Sequence, residues 1–166
     1  MRKAIFKIDK EFRKHWKSYV LQSFLASVVI FIVIMTLSIQ ENPVIIASIG
    51  ATTFIVFAMP NNLTAQTKNI IGGHLAGLAC GFVCHFILHP AFIPSVTAQS
   101  FLYALAVGLS IFVMVTIDTE HPPASGTALG AAISGFSWNI TITVIVSVVV
   151  LSLIHRFFKK HLRDLT

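Results

Sequence analysis

The stretch TIDTEHPPASGTALGAAISG, residues 116–135, interrupts an apolar chain with charge, proline and a run of small residues. It places two carboxylates, Asp118 and Glu120, beside His121 and a pair of prolines. Proline suits the first turn of a helix, because its missing N–H would have no intrahelical partner there. The stretch therefore predicts a polar loop followed by a short or broken helix of small residues over 122–135.

Composition indicates that the rest of the chain lies in lipid. Of the 166 residues, 55% are apolar and 11% are charged, whereas soluble domains have roughly 25% charged residues. Seven of the 12 Lys and Arg lie in residues 1–17 and four in residues 156–163, so that only Lys68 lies between. The positive-inside rule then predicts two cytoplasmic termini. The net charge of +6 is explained by membrane orientation, and nucleic acid is not expected as a partner.

The predicted fold is all-α and transmembrane, with about six membrane segments of which two are short. A span needs roughly 20 apolar residues, and four segments have about that length: 19–39, 70–88, 100–117 and 138–158. The segments 43–60 and 122–135 are marginal, and their length leaves open whether they cross the bilayer completely. Because both termini are expected on one side, the number of crossings must be even.

Three regions are predicted along the chain. Residues 1–18 form a basic amphipathic cytoplasmic helix, residues 19–158 a transmembrane domain, and residues 159–166 a basic cytoplasmic tail. The amphipathic helix rests on the three- and four-residue spacing of apolar side chains among basic ones, namely Ile5, Ile8, Phe12 and Trp16. The alternative is a basic tail that only sets the orientation.

Two short stretches suggest an internal repeat. ENPVIIASIGATTF begins at Glu41, and EHPPASGTALGAAI begins 79 residues later at Glu120. Both read Glu, a polar residue, Pro, small residues and then a Gly-Ala pair. Each half of the chain is then long, short, long, and three crossings per half would give the halves opposite orientation. This pattern predicts a 3+3 inverted repeat of the kind found in membrane transporters.

The start of the second short helix is a candidate anion site. Backbone N–H groups at a helix start, together with the helix dipole, attract anions without a cationic side chain. Here these groups belong to Ala124, Ser125 and Gly126, and His121 adds a donor that titrates near neutral pH. The alternative is a loop ended by proline, in which the small residues serve packing alone.

The third span, KNIIGGHLAGLACGFVCH from Lys68, repeats this theme of glycine and histidine. Gly73, Gly77 and Gly81 form a face for close helix packing, which we expect to remain available to a neighbouring subunit. His74 and His85 are eleven residues apart, close to three turns, and so share another face. For His74 a functional and a structural role are equally open, whereas His85 and His89 are predicted to lie near the outer surface.

Lys68 is the basic residue at the cytoplasmic start of the third span. It can attract an anion or pair with Asp118 or Glu120, and the two roles are compatible. No set of nucleophile, base and orienting acid is visible in the sequence, so an enzyme is not expected. A disulfide between Cys80 and Cys84 is improbable at this helical spacing, and neither a metal site nor a cofactor is expected.

In combination, EHPPASGTALGA, ASIGATTFIVFAMP and AQTKNIIGGHLAG resemble the HPP family of integral membrane proteins, over roughly residues 20–157. The resemblance implies a multi-span membrane protein and, since chloroplast and cyanobacterial members are implicated in nitrite transport, a conduit for a small anion. It carries over two groups of positions. Those in the first half are Ser48, Gly50, Ala51, Thr52, Pro60, Lys68, Asn69, Gly72, Gly73 and His74. Those in the second half are His121, Pro122, Pro123 and Ala124.

Two functions remain open from the sequence. The first is a channel or transporter for a small monovalent anion, nitrite foremost, and the second is a non-transporting membrane scaffold or sensor. The candidate path residues are Lys68, Asn69, His74, His121, Ala124, Ser125 and Gly126. A homo-oligomer in the lipid bilayer is expected, since so small a chain has little perimeter to shield a path. The absence of a transit peptide favours a bacterial plasma membrane.

Overall fold

Six apolar helices account for most of the chain in a computed structural model, which describes residues 2–37, 42–87 and 95–166, with side chains from residue 10 onward. The helices are α1 (Arg2–Leu37), α2 (Pro43–Ala58), α3 (Thr67–Ile87), α4 (Val96–Thr116), α5 (Pro123–Ser134) and α6 (Trp138–Phe158). The described residues contain no strand. This confirms the all-α prediction, and each predicted segment corresponds to one of these helices.

The first helix bends near the end of its basic part. His15 has a non-helical backbone conformation, with φ −125° and ψ 19°, inside α1. The bend lies close to residue 18, where the cytoplasmic helix was predicted to end. Phe12 and Trp16 of the predicted amphipathic face are half-exposed, whereas the side chains of Ile5 and Ile8 lie outside the described part of the chain. The division into 1–18, 19–158 and 159–166 stays a prediction.

Length separates the helices into two kinds. Four are long and apolar enough to cross a membrane, namely Lys10–Thr36 of α1, α3, α4 and Trp138–His161, which includes α6. In contrast, α2 has 16 residues and α5 has 12. At 1.5 Å per residue these two helices are about 24 and 18 Å long, which is less than the roughly 30 Å of a bilayer core. Each begins with a proline in its first turn, as the sequence predicted.

Both ends of the chain lie at the same end of the bundle. The Tyr19 hydroxyl donates to the carbonyl of Leu165 at 3.0 Å, and the Leu165 N–H donates to the carbonyl of Ala58 at 2.8 Å. The amide of Asn61 donates to the Asp164 carboxylate at 2.9 Å. The start of the α1 span, the end of α2 and the tail after α6 are therefore neighbours, as parity requires of six alternating helices.

The opposite end of the bundle is marked by contacts of α5. The Ser134 hydroxyl at the end of α5 donates to the Asn42 side chain, which precedes α2, at 2.8 Å. His85 near the end of α3 lies with Nδ1 2.9 Å from the carbonyl of Ala132. Thus α2 and α5 run antiparallel, and α5 passes through the interior between the two ends.

Glycines allow α3 and α5 to touch backbone to backbone. A Cβ on Gly77 would lie 2.5 Å from the carbonyl oxygen of Ala124, and one on Gly81 would lie 2.5 Å from that of Ala128. The sequence predicted that this glycine face remains available to a neighbouring subunit. That prediction is wrong, because α5 of the same chain covers the face.

The other side of α2 packs in an apolar core with α1 and α6. Ile49 of α2, Val33 of α1 and Val148 of α6 are all buried in this core. The same core includes Ile70 of α3 and Ala131 of α5, so it extends across the bundle.

Candidate functional site

Five buried polar side chains meet where α2, α3 and α5 approach one another. We call them the histidine cluster: Ser48 and Thr52 of α2, His74 of α3, Thr127 of α5, and His121 of the loop before α5. Both histidines and both threonines are 0% exposed, and Ser48 is 5% exposed. Buried polar groups are costly unless they are hydrogen-bonded, so the partners of these groups decide what the cluster can do.

Thr52 lies between the two imidazole rings. Its Oγ1 is 2.9 Å from Nε2 of His74 and 2.9 Å from Nε2 of His121, and the two ring centres are 5.1 Å apart. The outer nitrogen of His121, Nδ1, is 2.8 Å from the carbonyl of Thr64. A carbonyl only accepts, so this nitrogen carries a hydrogen and donates it.

The cluster continues from His74 toward α5. Nδ1 of His74 is 2.7 Å from Oγ1 of Thr127, which is in turn 2.7 Å from Oγ of Ser48. The Ser48 hydroxyl donates to the carbonyl of Pro123 at 2.6 Å. The polar contacts therefore run without a break from the loop at Thr64 to the start of α5.

Small residues at the start of α3 allow the loop 117–122 to bring His121 into the interior. A Cβ on Gly73 would lie 2.7 Å from Cβ of His121, and a Cβ on Gly72 would lie 2.7 Å from Cγ2 of Thr119. The side-chain amide of Asn69 donates to the carbonyl of Glu120 at 3.0 Å and ties the loop to α3. Burial lowers the pKa of His121 to about 4, although its hydrogen bond to Thr64 opposes this. His121 is therefore neutral at pH 7.

Lys68 lies outside the cluster, on the surface. Its ammonium group contacts the Asp118 carboxylate, and the two side chains are 54% and 82% exposed. Of the alternatives that the sequence left open, the structure shows pairing with Asp118. Lys68 precedes His74 by six residues, which corresponds to about 9 Å along the helix axis.

The predicted helix-start site has two of its three amides engaged. The N–H of Ala124 donates to the carbonyl of His121 at 2.8 Å, and the N–H of Ser125 donates to the carbonyl of Pro122 at 3.1 Å. Gly126 packs against α2, because a Cβ there would lie 3.2 Å from Cβ of Ser48. An anion site at these amides stays a prediction, and an anion bound there would have to compete with the bonds of this turn.

The structure brings together four of the sequence-selected residues, Ser48, Thr52, His74 and His121, and adds one that sequence reasoning missed. Thr127 forms hydrogen bonds with both Ser48 and His74. In the sequence it was counted only as one of the small residues of the stretch 116–135. Its signal was the repeat, because Thr127 follows Ser48 by 79 residues, the same offset that separates Glu120 from Glu41. Gly50 takes no part, and a Cβ there would meet nothing within 4 Å.

The remaining histidines and cysteines of α3 lie apart from the cluster. His85 contacts α5 near its end, on the same face as His74, as the eleven-residue spacing predicted. His89 lies outside the described residues. Cys80 and Cys84 are buried free thiols. In residues 2–37, 42–87 and 95–166 no group of three or more His, Cys, Asp or Glu is placed to hold a metal ion.

A bundle of apolar helices with basic terminal segments and a buried polar cluster defines a multi-pass membrane protein of the all-α class. The sequence matches the family described as HPP, transmembrane region, over residues 11–164, and the chain belongs to that family. The match includes all five members of the histidine cluster.

Two curated relatives are transmembrane proteins of Dictyostelium discoideum. One is 33% identical over 89 residues, which are 54% of this chain and 30% of the relative. The other is 26% identical over 110 residues, which are 66% of this chain and 34% of the relative. The match thus spans about a third of the length of each. No solved structure matches this chain.

Proposed function

We propose that this HPP-family protein is a channel or carrier that moves a small monovalent anion across the membrane, with nitrite as the first substrate to test. The observation that carries the proposal is the histidine cluster. Two fully buried imidazoles and three buried hydroxyls lie together among helices that are mostly apolar. Ionisable groups inside a membrane domain are costly and commonly mark pathways for ions or protons.

The position of the cluster supports the proposal. It lies where both short helices, α2 and α5, meet, and short or broken helices form the substrate sites of many transporters. Imidazole N–H and hydroxyl groups can replace part of the hydration shell of an anion without holding it as tightly as a lysine would. Lys68 and Asp118 lie at the end of the bundle where the loop with His121 enters the interior. Their charges act on an anion that enters from that end.

We infer further that the two halves form a 3+3 inverted repeat. The helix directions alternate, so α1–α3 and α4–α6 have opposite orientation. Ser48 and Thr127 are equivalent under the 79-residue offset and touch each other at 2.7 Å. Such a contact is expected where equivalent positions lie next to a pseudo-twofold axis. A site between two such halves can open alternately to either side.

The decisive experiment measures nitrite uptake into phosphatidylcholine vesicles that contain only this protein, against protein-free vesicles. The parent protein is expected to raise the initial rate above that background. Gly126→Leu should abolish this increase, because its side chain displaces Ser48 from α5. Gly108→Leu on α4 serves as the matched control, since a Cβ at Gly108 would meet nothing within 4 Å.

A rate equal to that of empty vesicles, with folded parent protein in the bilayer, would overturn the proposal. The second candidate function is then a membrane scaffold or sensor without transport. One observation favours that alternative: the cluster side chains contact one another and are closed to solvent. Residence in the plasma membrane of a bacterium is likewise part of the proposal, supported by the basic terminal segments, and fractionation of the source cells tests it.

A further inference from the structure

The histidine cluster forms one continuous chain of hydrogen bonds that ends on a carbonyl oxygen at both sides. From the Thr64 carbonyl it passes through His121, Thr52, His74, Thr127 and Ser48 to the Pro123 carbonyl. The six contacts measure 2.8, 2.9, 2.9, 2.7, 2.7 and 2.6 Å in that order. All of them are within normal hydrogen-bond distance.

Counting hydrogens shows that the neutral chain is incomplete. Each hydroxyl carries one polar hydrogen, and each neutral imidazole carries one N–H. The five side chains therefore supply five hydrogens to six contacts. The carbonyls at the two ends supply none, so in one contact two lone pairs face each other. One added proton removes this deficit, because a histidine with both nitrogens protonated donates in both directions.

Geometry places that additional proton on the histidine pair. His121 donates to the Thr64 carbonyl, Ser48 donates to the Pro123 carbonyl, and Thr127 and His74 supply the two hydrogen bonds between Ser48 and His74. The direction of the remaining hydrogen bonds is then decided at Thr52. Its hydroxyl donates either to Nε2 of His74, in which case His121 carries the charge, or to Nε2 of His121, in which case His74 carries it. Both distances are 2.9 Å. A relay through this hydroxyl therefore moves the charge between the rings: the oxygen takes the proton from Nε2 of one ring and gives its own proton to Nε2 of the other.

A third acceptor makes the deficit larger. The Thr52 hydroxyl also lies 3.1 Å from the carbonyl of Ser48, one turn earlier in α2. When it donates there, both Nε2 atoms face its lone pairs and neither receives a hydrogen. Protonation of either ring restores one of these contacts.

Among the residues that the structure describes, no acidic side chain contacts either ring to balance such a charge. The ring nitrogens contact only Thr52, Thr127 and the Thr64 carbonyl in the residues that the structure describes. Neither α2 nor α5 contains an ionisable side chain. The loop 117–122 contributes two acids: Asp118 is engaged with Lys68 on the surface, and Glu120 meets α3 through its backbone carbonyl.

The other ionisable groups on the helices around the cluster lie away from the two rings. On α3, Cys80, Cys84 and His85 follow His74 by six to eleven residues, or about 9 to 16 Å along the axis. Tyr103 of α4 packs beside the cluster of Cys84 and Leu102, toward the opposite end of the bundle. His155 of α6 contacts the carbonyl of Pro60. A buried charge without a partner is strongly unfavourable, so the charge must come with its own counter-ion.

We propose that the His74–His121 pair binds one proton together with one monovalent anion, so that the protein moves the two as a neutral pair. The proton passes from water to Nε2 of one ring as the anion enters, and it returns to water on the other side as the anion leaves. No electrons are exchanged, and the charges of imidazolium and anion cancel. This inference rests on the proposed transport function.

The test is nitrite uptake into vesicles that contain a trapped pH dye, with the membrane potential set by potassium and valinomycin. Protein-free vesicles give the background from nitrous acid that crosses the lipid unaided. Above that background we expect one proton taken up per nitrite and the same initial rate at inside-negative and inside-positive potential. A rate that rises at inside-positive potential, without proton uptake, would leave transport intact and overturn the neutral pair.

Thr52→Val tests the role of the hydroxyl in proton-coupled uptake, because it removes the hydroxyl between the rings and keeps the side-chain volume. Thr53→Val is its control: Thr53 is also buried, on the same helix, and its hydroxyl donates to the carbonyl of Ile49 at 2.9 Å. We expect coupled uptake to fall about tenfold in the first variant, as for loss of a buried hydrogen bond, and to be unchanged in the second. Equal rates in both variants would contradict the role of Thr52.

Nitrogen-15 histidine NMR of the purified protein gives a readout that does not depend on transport. Addition of nitrite should convert one imidazole of the pair from the neutral to the doubly protonated form. If transport fails but this signal appears, the proposed function is wrong and the proton site holds. If both rings stay neutral with nitrite bound or in excess, the proton site itself is wrong.

Discussion

At the scale of single residues, glycine decides where α3 and α5 touch. A Cβ on Gly77 would lie 2.5 Å from the backbone oxygen of Ala124, whereas a Cβ on Gly108 of α4 would meet nothing within 4 Å. A backbone oxygen cannot move aside as the tip of a flexible side chain can. The contact therefore depends on the missing side chain and not on helix propensity.

Gly77→Ala should destabilise the protein by about 1–3 kcal/mol, the usual cost of overpacking a close contact. Gly108→Ala is the control, and it should be neutral or stabilise by up to about 1 kcal/mol, because alanine favours a helix more than glycine does. Thermal unfolding in one mild detergent measures both variants. Equal unfolding temperatures would show that α3 and α5 are not in backbone contact.

Lys68 and Asp118 should tune anion entry in opposite directions. Lys68→Gln leaves a net negative entrance and should lower nitrite uptake about twofold at low ionic strength, with little effect at high salt, because exposed charges are screened. Asp118→Asn removes the negative partner of Lys68 and should raise uptake under the same conditions. Asn suits this position, since Asp118 has φ 56° and asparagine tolerates the left-handed region. Changes in the same direction for both variants would exclude an electrostatic entrance.

At the scale of elements, the short helices determine how the bundle is organised. The 12 residues of α5 begin beside His121 and end beside His85 and Asn42. About 18 Å of helix thus connects the two ends of the bundle without spanning a full bilayer core by itself. The long helices α3 and α4, which pack against it, shield its backbone from lipid.

Cysteine labelling on a variant without Cys80 and Cys84 tests this arrangement. Asn61→Cys, after α2, should react with a membrane-impermeant reagent from the cytoplasmic side, and Ser95→Cys, before α4, should react from the opposite side. Phe136→Cys, after α5, should behave like Ser95→Cys if α5 passes through the membrane. Labelling of Ser95→Cys from the same side as Lys10→Cys would rule out six alternating helices.

At the scale of the whole molecule, several apolar surfaces remain uncovered after the glycine face is buried. The outer face of α6 exposes aliphatic side chains that include Ile142, Val146 and Leu153. Lipid or a second copy of the chain can cover such a face. Because one copy offers so few helices to enclose a polar path, we continue to expect a homo-oligomer with a path in each subunit.

Light scattering with correction for bound detergent should give a protein mass that corresponds to two or more chains of 18.2 kDa. Val146→Trp should reduce that mass if α6 forms the interface, because a bulky ring prevents close contact between copies. Leu75→Trp on α3, which is also exposed, is the matched control and should leave the mass unchanged. A monomer of 18.2 kDa that still transports nitrite would contradict this prediction.

The sequence by itself determined the all-α class, the six segments and the placement of both chain ends at one end of the bundle. Hydropathy and proline act locally, so helix starts at Pro43 and Pro123 and the span at Trp138 could be predicted from neighbouring residues alone. Only the tertiary structure decided that α5 covers the glycine face, that Lys68 pairs with Asp118, and that Thr127 joins His74 to Ser48. These contacts join residues more than 40 positions apart, and they depend on how each helix is rotated about its axis. In a helix that is apolar all round, the sequence pattern contains no signal for that rotation, which is set by packing against neighbouring helices.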